Sequence, residues 1–97
     1  MRIIGRPKLE VFWKIHRDAN QQLLAWLDDA EKSDWNSGLE LSERYSNVRI
    51  IPPNRAVFNI RGNRYRLVVM INYSLKSVSI RFIGTHAQYD RINVETI

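Results

Sequence analysis

Residues 56–73 read AVFNIRGNRYRLVVMINY. Apolar and polar side chains alternate on both sides of Gly62-Asn63, and such a pair between alternating runs signals a two-residue hairpin loop. That loop predicts Arg61 facing Arg64, Ile60 facing Tyr65, Asn59 facing Arg66 and Phe58 facing Leu67. Cross-strand partners share a sheet face, and faces alternate along each strand. Asn59, Arg61, Arg64 and Arg66 are therefore expected on one face, with Val68 and Met70 further along it. Phe58, Ile60, Tyr65 and Leu67 are expected on the other. Residues 76–84, KSVSIRFIG, read as a third strand, with Val78, Ile80 and Phe82 as its apolar row and Ser77, Ser79 and Arg81 as its polar row.

Upstream of this meander the period is helical. Residues 2–4, RII, allow a short strand, and Pro7 suits the first turn of a helix. Leu9, Phe12, Trp13 and His16 then share one helical face, His16 as a core or boundary residue. Asp18 and Gln21 form a capping-box pattern for a second helix, whose inner face carries Leu23, Leu24, Leu27 and Ala30 with Trp26 beside it. Ser37 and Glu40 repeat the pattern for a third helix through about Arg44, and Pro52-Pro53 interrupts residues 46–54. Helices first, an antiparallel meander second and a short helical turn at the end make an α+β sandwich, read as one domain over residues 1–97.

Composition narrows the function classes. The chain has no cysteine, which excludes disulfides and thiolate metal sites and points to a cytoplasmic home. It has no apolar run long enough to span a membrane, and MRIIGRPKLE lacks the apolar core of a secretory signal. The net charge of +5 is uneven: residues 1–48 carry seven Lys/Arg against eight Asp/Glu, and residues 49–97 carry eight against two. The second half is thus the electropositive one, and a polyanion is its expected partner. Phosphate-loop, dinucleotide, serine-hydrolase and zinc-protease motifs are absent, and no cofactor is expected.

Two features carry possible chemistry. Arginines stacked across a ladder repel one another, so Arg61, Arg64 and Arg66 either bind phosphate or splay into solvent. After the last strand comes THAQYD, residues 85–90; a helical turn there puts His86, Tyr89 and Asp90 on one face. An imidazole moves protons at neutral pH, a phenol donates one or stacks on a base, and a carboxylate fixes an imidazole tautomer. The alternative is structural: Thr85 caps the turn, Tyr89 packs on the sheet edge and Asp90 is solvated.

Phe58-Asn59, Gly62-Asn63, Arg66 and the Thr85-to-Asp90 motif together resemble the HigB-type toxins of bacterial toxin–antitoxin pairs, within the RelE-like superfamily. The similarity covers roughly residues 55–92. It implies an mRNA interferase acting at the ribosome and a helix-turn-helix antitoxin of the HigA type as partner, with no membrane involved. It also implies metal-free attack of a ribose 2′-OH on the adjacent phosphate. On that pattern Arg66 binds the scissile phosphate, while His86 and Tyr89 share the proton work. Asn59, Arg61, Asn63, Arg64, Arg81 and Asp90 line the RNA or orient the site. RelE-type members place lysines where this chain has Asn59 and Arg61, which either shifts the base role to His86 or leaves the work largely to substrate positioning by the ribosome. Two alternatives stay open: a non-catalytic toxin of the same fold that binds DNA gyrase, and a simple nucleic-acid-binding domain.

Overall fold

The computed structural model describes residues 1–97. In chain order the elements are β1 (Arg2–Ile4), α1 (Arg6–Ile15), a 3-10 turn (Arg17–Ala19), α2 (Asn20–Lys32), α3 (Gly38–Arg44), β2 (Val48–Ile51), β3 (Arg55–Ile60), β4 (Tyr65–Asn72), β5 (Ser77–Thr85) and α4 (His86–Tyr89). The strands form one sheet ordered β1-β5-β4-β3-β2. The predicted meander is its centre. β1 adds to β5 in parallel, through Arg2–Ser77 to Ile4–Ser79, so the sheet is mixed rather than purely antiparallel. β2, which the sequence reading left as an interrupted segment, pairs with β3 from Val48–Phe58 to Ile51–Arg55. Pro52-Pro53 ends this edge strand rather than breaking it, because a proline is tolerated where no ladder donor is needed.

The hairpin register is as predicted up to Ile60–Tyr65, with Asn59 opposite Arg66 and Phe58 opposite Leu67. There the ladder stops. Arg61 and Gly62 take left-handed backbone angles, φ 54 and φ 63, and Arg61 to Arg64 form the turn. Arg61 and Arg64 are therefore not a facing pair beside Arg66, which corrects the expected four-residue polar face.

The helical layer closes one side of the sheet. Leu9 and Phe12 of α1, Leu23, Trp26, Leu27 and Ala30 of α2, and Leu41 of α3 meet Phe58, Ile60, Leu67, Val69, Ile71, Val78 and Ile80 in one core. On α2 it is Trp26, not Leu24, that turns inward; Leu24 is exposed. Trp35, between α2 and α3, is fully buried and stacks on Phe58 at 6.2 Å. Asp18 does not cap α2. Its carboxylate accepts from the Tyr65 hydroxyl at 2.6 Å and pairs with Arg64, and the chain passes through the 3-10 turn before α2 begins. The Ser37 cap does form, its side chain accepting from the Glu40 backbone N–H.

A bulge decides the other side. Val68 pairs with Phe82 but Val69 pairs with Ile80, so Arg81 is an extra residue in β5. A one-residue shift moves every later side chain to the opposite face. Phe82 consequently leaves the apolar row of Val78 and Ile80 and joins Val57 and Val68 on the far side. There Tyr89, Ile92, Val94 and Ile97 pack over Ile51, Val57 and Val68 as a second, smaller core. The chain's own last residues thus cover the apolar part of the arginine face. No helix is long and apolar enough to cross a membrane.

Candidate active site

The site lies where β3, β4 and β5 run side by side on the far face. Asn59 of β3, Arg66 of β4 and Gly84 of β5 sit in one row. Gly84 has no room for a side chain: a Cβ there would lie 2.5 Å from the Phe82 ring and 2.7 Å from Gln88 Oε1. Two residues beyond Gly84, the polypeptide turns into α4. Thr85 Oγ1 accepts from the Gln88 N–H at 3.2 Å, and Gln88 Oε1 accepts from the Thr85 N–H at 2.9 Å, so the capping box closes reciprocally. The His86 N–H also donates to the Arg64 carbonyl at 2.9 Å, tying the start of α4 to β4.

The helical turn forms as the spacing predicted, and it pairs two of its three side chains. His86 Nδ1 and Asp90 Oδ2 are 3.0 Å apart, one helical turn from each other, and both are half exposed. With Asp90 accepting from Nδ1–H, the Nε2 atom of His86 is left to face solvent or substrate. Tyr89 turns inward. Its ring lies 6.5 Å from Phe82, and the Arg66 guanidinium sits 5.9 Å from its centroid, a cation–π contact.

Arg66 is the unusual residue. It is only 9 % exposed. Its one hydrogen bond is from Nη1 to the adjacent Tyr65 carbonyl at 3.2 Å, and no carboxylate pairs with it. A buried cation without a counter-ion is costly, on the order of several kcal/mol before compensation. An anion arriving here is therefore met by a desolvated guanidinium, one of whose nitrogens donates to the Tyr65 carbonyl while no carboxylate holds the others.

The other predicted arginines are engaged elsewhere. Arg64 pairs with Asp18 at the helical layer. The Arg61 backbone N–H donates to Gln22 Oε1 at 2.7 Å, and its side chain borders a polar cleft with Arg17, Asp18 and Gln21. The Tyr65 hydroxyl, helped by Arg64, holds the Asp18 carboxyl below its usual range, against a smaller opposing effect of burial. Asp18 in turn raises the Tyr65 phenol. Arg81 occupies the bulge, where Nε donates to the Ile97 carbonyl at 3.1 Å. Asn63 is exposed at the hairpin tip. Asn59 thus lies across the ladder from Arg66, Arg66 meets Tyr89, and His86 pairs with Asp90 on the same short helix as Tyr89, while Arg61, Asn63, Arg64 and Arg81 are engaged or exposed elsewhere.

The structure adds one residue the sequence reading missed. Arg49 of β2 shares the site face and donates through Nη1 to the Tyr89 hydroxyl at 3.4 Å. The alternation of VRII, with Arg49 between two apolar residues, was the available signal. His, Asp and Glu side chains form no group of three that could hold a metal ion.

Comparison with curated proteins gives no match. A sequence model described as the HigB toxin, RelE-like toxic component of a toxin–antitoxin system, matches residues 19–92, from the 3-10 turn through the strands to the end of the His86 motif. With that match over most of its length, and with helices packed on the strands that carry the motif, the chain belongs to the HigB toxin family.

Proposed function

We propose that this toxin is a ribosome-dependent, metal-independent endoribonuclease that cuts mRNA and stops translation. The observation that carries this reading is Arg66, a buried guanidinium with no carboxylate, beside a His–Asp pair and a phenol. Arg66 binds the scissile phosphate and stabilises the charge that grows on it. His86 Nε2 takes the proton of the ribose 2′-OH while Asp90 holds Nδ1–H. The 2′-oxygen attacks phosphorus and the bond to the 5′-oxygen breaks. Tyr89, whose hydroxyl oxygen accepts from Arg49, gives its own proton to that leaving oxygen. The products are a 2′,3′-cyclic phosphate and a free 5′-OH. Asn59 lies beside Arg66 to contact the RNA, and the basic hairpin tip with Arg61, Asn63 and Arg64 extends the electropositive track. The half-exposed His86 suits a site completed by the ribosome, which supplies substrate positioning. On this reading the partner is a HigA-type helix-turn-helix antitoxin and the site of action is the cytoplasm.

The test is a translating extract charged with a defined mRNA, with 5′ ends mapped by primer extension. Wild type is expected to cut within the translated frame with or without EDTA. Arg66→Ala is expected to lose on the order of 10²–10³ in rate, and His86→Ala about 10². Intact mRNA with wild type, or unaltered cutting by both variants, overturns the reading.

A further inference from the structure

β5 is nine residues long, but β1 lies along only Ser77–Ser79. From Arg81 to Gly84 its outer edge has no neighbouring strand; before that stretch the Ile80 carbonyl accepts from Lys8 Nζ at 3.5 Å beside Gly5, and after it the Thr85 N–H donates to Gln88 Oε1 at 2.9 Å. α1 runs past that edge instead and leaves a groove of about 640 Å³, walled by Val11, Phe12 and Ile15 on one side and by Arg81, Phe82 and Ile83 on the other. Val11 is 61 % exposed and Ile15 72 %, unusual for large apolar residues on one helix of a small domain. The charged groups at the groove are Lys8 and Arg81, with His16 beside them, and no carboxylate lines it.

Each of these features selects the same kind of visitor. An open edge offers unpaired N–H and C=O groups to an extended segment. Apolar walls accept every second side chain of such a segment. The basic rim favours an acidic chain and disfavours a second copy of this protein, which would bring the same Lys8 and Arg81 and a net charge of +5. A nucleic acid would leave Val11 and Ile15 facing phosphate. The family to which the chain belongs is one half of a toxin–antitoxin system, so a protein partner exists to fill the groove.

We infer that the groove between α1 and β5 receives an extended, acidic segment of the antitoxin, which adds as a short strand to β5 over Arg81 to Gly84 and inserts apolar side chains between Val11, Ile15 and Phe82. This rests on family membership and not on the ribonuclease reading. It also gives the antitoxin a route to the site, because Gln88 lines the same groove and closes the capping box that sets His86 at the start of α4.

The experiment uses the toxin co-expressed and co-purified with its antitoxin. Edge-facing backbone amides of residues 81–84 are expected to exchange at least about tenfold more slowly in the complex than in free toxin. Val11→Glu and Ile15→Glu are each expected to weaken antitoxin binding on the order of tenfold or more. Leu75→Glu, at a residue 74 % exposed in the turn between β4 and β5, is expected to leave it unchanged. All three positions are exposed, and thermal unfolding of each free variant verifies that it folds. Unchanged affinity in both groove variants, or protection confined to other strands, overturns the proposal. So does equal protection in free toxin accompanied by a dimer mass, which would assign the edge to a second copy. The binding readout is independent of RNA cleavage, so a failed ribonuclease assay leaves it standing.

Discussion

The two faces of the sheet solve different problems with the same strands. On the helical face every strand contributes apolar side chains, and Trp35, Phe58, Leu23 and Leu67 are fully buried. On the far face Ile51, Val57 and Val68 are covered by the last residues of the chain, and beside them a cation is buried with no acidic partner. The first face is built for stability, and the second gives some of it up. Arg66 stands where an apolar residue would pack at lower cost, between Asn59 and a Gly84 that has no room for a side chain, and on the proposed reading the RNA phosphate accounts for it.

Four substitutions break or sharpen this contrast. Trp35→Ala strikes the helical face and removes the ring that Trp26, Tyr45 and Phe58 pack around. It is expected to cost about 3–5 kcal/mol, read as a large fall in the urea midpoint. Arg66→Met strikes the far face with the opposite signature. Cleavage is expected to drop by about 10²–10³ while Tm holds or rises, since an apolar side chain replaces an unpaired buried charge. A sharp loss of Tm would make Arg66 a structural residue and erase the contrast. Tyr89→Phe keeps the ring beside Phe82 and Arg66 but removes the hydroxyl. About 10² in turnover is expected to go with no change in Tm, and full activity would discard Tyr89 as the acid.

The smallest effect is at the seam between the faces. Because the folded Asp18 carboxyl is held below its usual range, the Asp18 contribution is present above about pH 4 and disappears as pH falls through the lowered folded value. Asp18→Asn is expected to be slightly less stable than wild type at pH 7 and to lose less on acidification, as followed by urea midpoints at both ends of the range. An identical acid limb in the two proteins would show that the Tyr65–Asp18–Arg64 cluster does not couple to folding.

Much of this architecture was legible in local pattern. Alternation around Gly62-Asn63 predicted the register of β3 and β4, and Thr85, His86, Tyr89 and Asp90 stood at helical spacing within six residues. Those features depend on neighbours in sequence or on a short hairpin, where chain geometry leaves few choices. Asp18 shows the limit. Its capping pattern was sound, but Tyr65 and Arg64, brought in from 47 and 46 residues away, offered the carboxylate stronger partners. Arg49 shows it again: its meeting with Tyr89 spans 40 residues, and nothing in VRII announces the partner.

By itself the sequence determined the helices, the β3–β4–β5 meander, the hairpin register as far as Ile60–Tyr65 and the helical spacing of His86, Tyr89 and Asp90, because each follows from periods of 3.6 or 2. Only the tertiary structure decided which arginine is the buried one. By alternation alone Arg61, Arg64 and Arg66 share one polar face. The end of the ladder at Ile60–Tyr65 releases the first two into a turn, where Asp18 draws Arg64 away, and the Arg81 bulge brings Phe82 to the face where Tyr89 meets Arg66. A ladder's end and a one-residue bulge are set by packing across the whole sheet, and no local periodicity encodes them.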